Sequence, residues 1–304
     1  MQHVLIALWP TFVLIILGYL LRRGGFAGQA FWDGADRLNY FLLFPALLVG
    51  SMTGAPFSSP GLAGIAVLIL ACIALLWLVL LGLRRHYRWP ASRFGVLVQG
   101  AMRFNTYLGL AAVNALYGSE GLAIAAIVMA IKIPVLNVLS VWALASGSQL
   151  QPRQLLVPLA KNPLILACLL GIGLNLSGIG LPLGTANLVS MLGSGSLPLG
   201  LLCVGAALQP AYLLGERRTL LVTSGVKLLL VPALVAVMAL LLGVGGLMAA
   251  LVILFFALPT APTAYALARQ LNGDSQLMAG IITLQTLLAM LTLPLVMGLL
   301  PAPG

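Results

Sequence analysis

Apolar residues fall into long blocks along this 304-residue chain, separated by short polar or glycine-rich joints. A helix that crosses a bilayer needs about 20 mostly apolar residues, and ten blocks reach that length: about 3–21, 35–53, 60–83, 94–117, 119–144, 158–177, 185–210, 219–242, 246–269 and 275–299. The fourth, seventh and ninth are the most polar. The ninth contains "ALPTAPTAY", in which Pro259 and Pro262 stand among the hydroxyls of Thr260, Thr263 and Tyr265. Proline removes a backbone donor and clashes with the preceding turn, so span 9 is expected to break there.

A second interruption lies at a matching place. "NALYGSEGLAIAAI" from Asn114 aligns without gaps with "RQLNGDSQLMAGII" from Arg269, an offset of 155 positions that pairs Leu116 with Leu271 and Gly118 with Gly273. At that offset "MRFNTYLGL" in span 4 is the partner of "ALPTAPTAY". Each half then holds five spans, an odd number, so the second half enters the membrane from the opposite side. The predicted fold is an all-α polytopic membrane protein of ten transmembrane helices. Its two inverted five-helix repeats cover residues 1–150 and 151–304, with helices 4 and 9 broken and crossing near midplane.

Composition agrees. Hydrophobic residues make up 62% of the chain and charged residues 7%, against about 25% charged in soluble domains. The net charge of +10 follows topology rather than nucleic acid, and no nucleic-acid partner is expected. Arg22, Arg23, Arg37, Arg84, Arg85, Arg88, Arg93, Arg153, Lys161, Arg217, Arg218 and Arg269 all flank odd-numbered connections. By the positive-inside rule these connections are cytoplasmic and both termini lie outside. Cys72, Cys168 and Cys203 stand alone in apolar runs, so neither a disulfide framework nor a metal site is expected. No positive stretch precedes the first apolar run, which does not read as a cleaved signal peptide.

Broken helices in hydrocarbon are tolerated only where they face protein or a watery cavity. Pro259 and Pro262 suit the first turn of a new half-helix, with Thr260 or Thr263 as its cap. Asn105 or Thr106, with Gly109 after them, suit the same role in span 4. Two helix N-termini aimed at one point attract an anion.

Arg103, Lys132 and Lys227 are the basic residues left inside spans; Asp33 and Asp36 are read as preceding span 2. Lys132 lies about 18 Å from either end of its span, too deep to snorkel, and Arg103 about 15 Å deep. Either neutralises orphan carbonyls at a broken helix or contacts a negative substrate; Lys227 reads as snorkelling. The expected substrate-binding set is Arg103, Asn105, Thr106, Tyr107, Lys132, Thr260, Thr263 and Tyr265, with Pro259, Pro262 and Gly109 shaping the crossing. Gln285 and Asn137 are weaker candidates, since a lone amide is more often an interhelical hydrogen bond. No cofactor is expected, and nothing in a span resembles a catalytic constellation.

The stretches "LIILGYLLRRGGF", "RLNYFLLFPALL", "VQGAMRFNTYLGLA", "KNPLILACLLG", "GLLCVGAAL" and "PTAPTAYALARQLNGDSQLMAGIITLQTLLAMLTLPL" resemble the auxin efflux carrier family in its bacterial branch. That family is similar in fold to bile-acid transporters and sodium/proton antiporters. The resemblance implies secondary transport of a small organic anion such as a malonate-like, malate-like or auxin-like acid. It also implies a homodimer in the bacterial inner membrane with periplasmic termini, a scaffold of spans 1, 2, 6 and 7, and a mobile unit of spans 3–5 and 8–10. The coupling ion stays open between proton, sodium and none. A sodium-coupled bile-acid-type symporter is the alternative transporter, and a structural or sensory membrane protein the alternative class. Span 4 departs from the plant carriers in having no proline at its break, which implies a milder interruption than in span 9.

Overall fold

A computed structural model describes residues 2–55, 61–145, 160–182 and 184–299. Arg153 and the expected boundary between residues 150 and 151 lie outside the described residues. The described chain is helical: α1 (Gln2–Arg23), α2 (29–53), α3 (Leu62–Tyr87), α4 (Ala91–Met102), α5 (106–117), α6 (119–145), α7 (Pro163–Leu176), α8 (Thr185–Ala206), α9 (217–241), α10 (Gly246–Ala257), α11 (Thr263–Gln270) and α12 (Ser275–Leu299). Six stretches are long and apolar enough to cross a membrane: Val4–Arg23, Leu62–Tyr87, Ala91–Ala145, Thr185–Ala206, Arg217–Leu241 and Ser275–Leu299. Helices α7 and α10 are apolar but shorter. Leu5, Ile6, Trp9, Leu78, Leu169, Leu170, Leu240 and Leu241 are exposed, as a surface facing lipid requires.

Local sequence explains most boundaries. Asn162 caps α7, its Oδ1 accepting from the N–H groups of Leu164 at 2.9 Å and Ile165 at 3.4 Å, with Pro163 in the first turn. Asp274 caps α12 in the same way, through the N–H of Leu277 at 3.0 Å. Gly118, with φ 57 and ψ −147, separates α5 from α6 by a backbone conformation that suits glycine. Span 5 therefore starts at a kink rather than at a Ser119–Glu120 cap.

Helices α2 and α9 each contain a π-helical turn, at Asn39–Leu43 and Val226–Leu230. Each turn is followed two residues on by a proline, Pro45 and Pro232. A proline ring clashes with the carbonyl four residues back, which here falls inside the widened turn.

Helix α7 packs against α2, α2 against α8, and α1 against α8. The closeness of that pair rests on glycine. A Cβ at Gly205 would collide with the carbonyl oxygen of Ile15, and one at Gly18 with the backbone of Leu202. Small residues let membrane helices approach backbone to backbone. Asn175 of α7 closes the end of α2, its Nδ2 donating to the carbonyls of Thr53 at 2.7 Å and Ala55 at 3.1 Å. The other helices pack around α12 and the interrupted pairs. There Arg93 holds both carboxylate oxygens of Glu216, tying the start of α4 to that of α9.

The α1–α8 contact yields a test. Gly205→Ala forces two backbones apart and should cost about 1–3 kcal/mol. Gly225→Ala meets open space and should be neutral. Melting temperatures in detergent decide: equal values for the two variants would remove the backbone contact as the reason for glycine at position 205.

Candidate functional site

Helix α4 ends at Met102 and α5 begins at Thr106; α10 ends at Ala257 and α11 begins at Thr263. Both bounds of α4, moved by the 155-position offset, fall on the bounds of α10. Span 4 is therefore interrupted outright, although it lacks a proline. Arg103 leaves the helix in extended conformation, φ −69 and ψ 159, matching Leu258 at φ −64 and ψ 144.

The two interruptions supply each other's missing partners. The backbone N–H of Asn105 donates to the carbonyl of Pro259 at 2.8 Å. The Asn105 side chain caps α5 by accepting from the N–H of Leu108 at 3.2 Å. Gly109 lets the helices meet, since a Cβ there would stand 2.6 Å from Leu258 Cδ1.

Carbonyls left over at the ends of α4 and α10 need donors, and three polar side chains provide them. Gln285 of α12 donates through Nε2 to the carbonyl of Gly100 at 2.9 Å and accepts at Oε1 from the N–H of Thr260 at 2.9 Å. Only this amide orientation satisfies both groups. The Thr260 hydroxyl lies 2.8 Å from Gln285 Oε1, 3.2 Å from the Gly100 carbonyl and 3.4 Å from that of Gln99. Lys132 is fully buried and donates to the carbonyl of Phe255 at 2.8 Å. Its ammonium sits 3.5 Å from the ring centroid of Phe256 and 4.6 Å from that of Phe104.

Beside the crossing is a cavity of about 220 Å³. The crossing contributes Arg103, Phe104, Asn105, Thr106, Ala261, Pro262 and Thr263. Helix α2 contributes Gln29, Trp32, Asp33, Asp36 and Tyr40, and α8 contributes Cys203 and Val204. Thr106 and Thr263, the first residues of α5 and α11, both line it. Arg103 reaches Thr263 Oγ1 at 3.4 Å and has no ion pair among the described residues. Two lining residues carry a buried donor without a partner among the described residues: Trp32 at Nε1 (residue 5% exposed) and Asn105 at Nδ2 (1%). A wider vestibule of about 1300 Å³ adjoins the cavity, sharing Gln29, Asp33 and Pro262 and bringing in Arg22, Arg23, Tyr265 and Arg269.

Of the residues expected at a binding site, the structure brings Arg103, Asn105, Thr106, Tyr107 and Thr263 together in the cavity wall, with Asn137 and Pro262. Tyr265 faces the vestibule instead. Lys132 and Thr260 line neither space; their polar atoms are used by the broken backbone, as are those of Gln285. No side-chain cap closes α11: Pro262, not Thr260 or Thr263, occupies the N-cap position. Lys227 does not snorkel. It is fully buried in the π-helical turn of α9, and its ammonium has no partner among the described residues.

The placement of the acidic residues also needs correction. Asp36 does not precede the helix of span 2; it lies inside α2, lines the cavity and accepts from the Tyr107 hydroxyl at 3.4 Å. Helix α2 begins at Gln29, six residues before the predicted span, and Gln29, Trp32, Asp33, Asp36 and Tyr40 recur at spacings of three and four. That stripe is the signal that would have found them.

Two comparisons bear on function. The family described as "Membrane transport protein" matches residues 148–297. An uncharacterized transporter of Methanothermobacter thermautotrophicus is 28% identical over 299 residues, covering 93% of this chain and 94% of the relative. Both matches are membrane transporters and not enzymes, and this chain is a membrane transporter on the same grounds.

Replacing Gln285 by Leu orphans the Thr260 N–H, at a cost of about 1–3 kcal/mol in a buried site, and leaves the Gly100 carbonyl only the Thr260 hydroxyl. A lowered melting temperature in Gln285→Leu, and a smaller loss in Gln285→Glu, are the expected results. An unchanged Leu variant would mean that the crossing does not depend on this amide.

Proposed function

We propose that this protein is a secondary transporter that moves a small organic anion by alternating access, with substrate held in the cavity beside the two helix interruptions. One observation carries the reading: a small cavity lined by an arginine without an ion-pair partner, and by two residues whose buried N–H donors lack acceptors, among the described residues. Buried donors are nearly always satisfied, and a carboxylate offers acceptor oxygens to such a set. The volume, about 220 Å³, is below the roughly 300–1,000 Å³ of sites for drug-sized ligands and fits an acid of a few carbon atoms.

In this reading the ten spans form two inverted repeats, and the coincidence of α4 with α10 at the repeat offset supports it. Helices α1, α2, α7 and α8 act as the scaffold and the interrupted helices move against them. The basic vestibule, with Arg22, Arg23 and Arg269, draws anions toward the cavity from the cytoplasmic face. A second cleft of about 1170 Å³, lined by Pro10, Gly54, Asn114 and Glu120, reaches toward the opposite helix ends. In the cavity wall Tyr107 packs edge-on against Phe44, with ring centroids 5.1 Å apart. The assembly is a homodimer in the bacterial inner membrane, with its termini outside.

Purified protein in liposomes should take up labelled malonate or a similar small acid. Arg103→Gln removes the charged donor and should lower uptake about 10- to 100-fold, as expected for a charge-assisted hydrogen bond. Trp32→Phe, which deletes one neutral donor, should raise KM by a smaller factor. Folded protein that moves no member of a broad anion panel, or an Arg103→Gln variant with wild-type uptake, would overturn the assignment.

A further inference from the structure

Asp36, like the more exposed Asp33, is a feature of the cavity that an anion site does not explain. It faces the same space as Arg103, Trp32 and Asn105, yet a carboxylate there repels the substrate those donors attract. It is partly buried and has no ion pair among the described residues. The groups around it come from four directions: Asp33 and Tyr40 on its own helix, Arg103 at the interruption, Tyr107 on α5, and Cys203 on α8. Asp33 and Cys203 cannot neutralise it, and Arg103 is directed to Thr263 and Gln99. The Tyr107 hydroxyl supplies its one hydrogen bond, joining α2 to the helix that begins at the interruption.

Two negative groups confined in one small cavity do not both stay ionised; one takes a proton. We propose that Asp36 is the proton carrier of this transporter, binding one proton for each anion seated on Arg103, Trp32 and Asn105. The inference rests on the anion-transport reading above. Asp36 takes the proton from water on one face, forming a single O–H bond. It returns the proton to water on the other face when the anion leaves, and no other bond is made or broken. The Tyr107 hydroxyl senses the change, because it donates to a carboxylate more strongly than to a carboxylic acid. The proton state of Asp36 thereby reaches the contact between α2 and α5.

The probe is labelled oxalate, a small anion whose own carboxyls stay ionised over the range used, with membrane potential clamped. In a first arm, exchange of oxalate at equal pH on both sides tests the underlying reading by itself. Its absence overturns the anion reading and this inference with it. In a second arm a pH difference is imposed: one proton per anion gives about tenfold accumulation on the alkaline side per pH unit. An internal pH dye should record one proton per oxalate. Wild-type protein that exchanges oxalate but ignores the gradient overturns the proton carrier while leaving transport intact. Asp36→Asn, which keeps the acceptor for Tyr107, should lose gradient-driven accumulation and give a flat rate between about pH 5.5 and pH 8. Asp36→Glu should keep both responses. An Asp36→Asn variant that still accumulates oxalate like wild type overturns the proposal, and the dye measurement on wild type decides the matter if that variant fails to fold.

Discussion

Apolar surroundings leave an interrupted helix with N–H and carbonyl groups that nothing outside the protein can satisfy. In this chain two such interruptions lie against each other, and the hydrogen bond from the Asn105 N–H to the Pro259 carbonyl joins them. Gln285, Thr260 and Lys132 complete the crossing by taking up carbonyls from the ends of α4 and α10. The rest of the interior follows from this constraint. Gly109 is small because the crossing is close, and the rings of Phe104 and Phe256 lie where they face the Lys132 ammonium.

Polar residues near the crossing consequently divide into two groups with opposite duties. Lys132, Thr260 and Gln285 have their polar atoms occupied by backbone and give the break its rigidity. Arg103, Asn105 and Thr263 line the cavity instead. A rigid crossing beside an unsatisfied donor set is a preorganised arrangement: the ligand meets positive and N–H groups already in place. Helix α2 closes the other wall with Trp32, Asp36 and Tyr40, so the cavity is lined by both groups of helices at once. Such a site is altered whenever one group moves against the other, which suits a carrier better than a structural kink.

Much of this was legible in the sequence. The apolar runs locate the helices closely, span 10 to the residue at Ser275–Leu299. The prolines of span 9 and the 155-position offset locate both interruptions. Span 4 breaks without a proline, and its interruption is the shorter one: residues 103–105 leave the helix, against 258–262 in span 9. The interruption after Met102 is held by the hydrogen bond that the Asn105 N–H donates to the Pro259 carbonyl, and a local sequence carries no trace of a bond made 154 residues away.

The sequence by itself determined that the chain is helical, membrane-embedded and interrupted twice at repeat-related places, because hydrophobic run length, proline and internal offset are local quantities. Which way each polar side chain faces was decided by tertiary structure alone. Lys132 and Arg103 look alike on paper, two deep basic residues in apolar helices. One donates to Phe255 and the other lines a cavity, according to what packs against each face. Asp36 reads in the sequence as a residue that precedes span 2. It lines a cavity because α8 and the crossing pack around the first turns of α2.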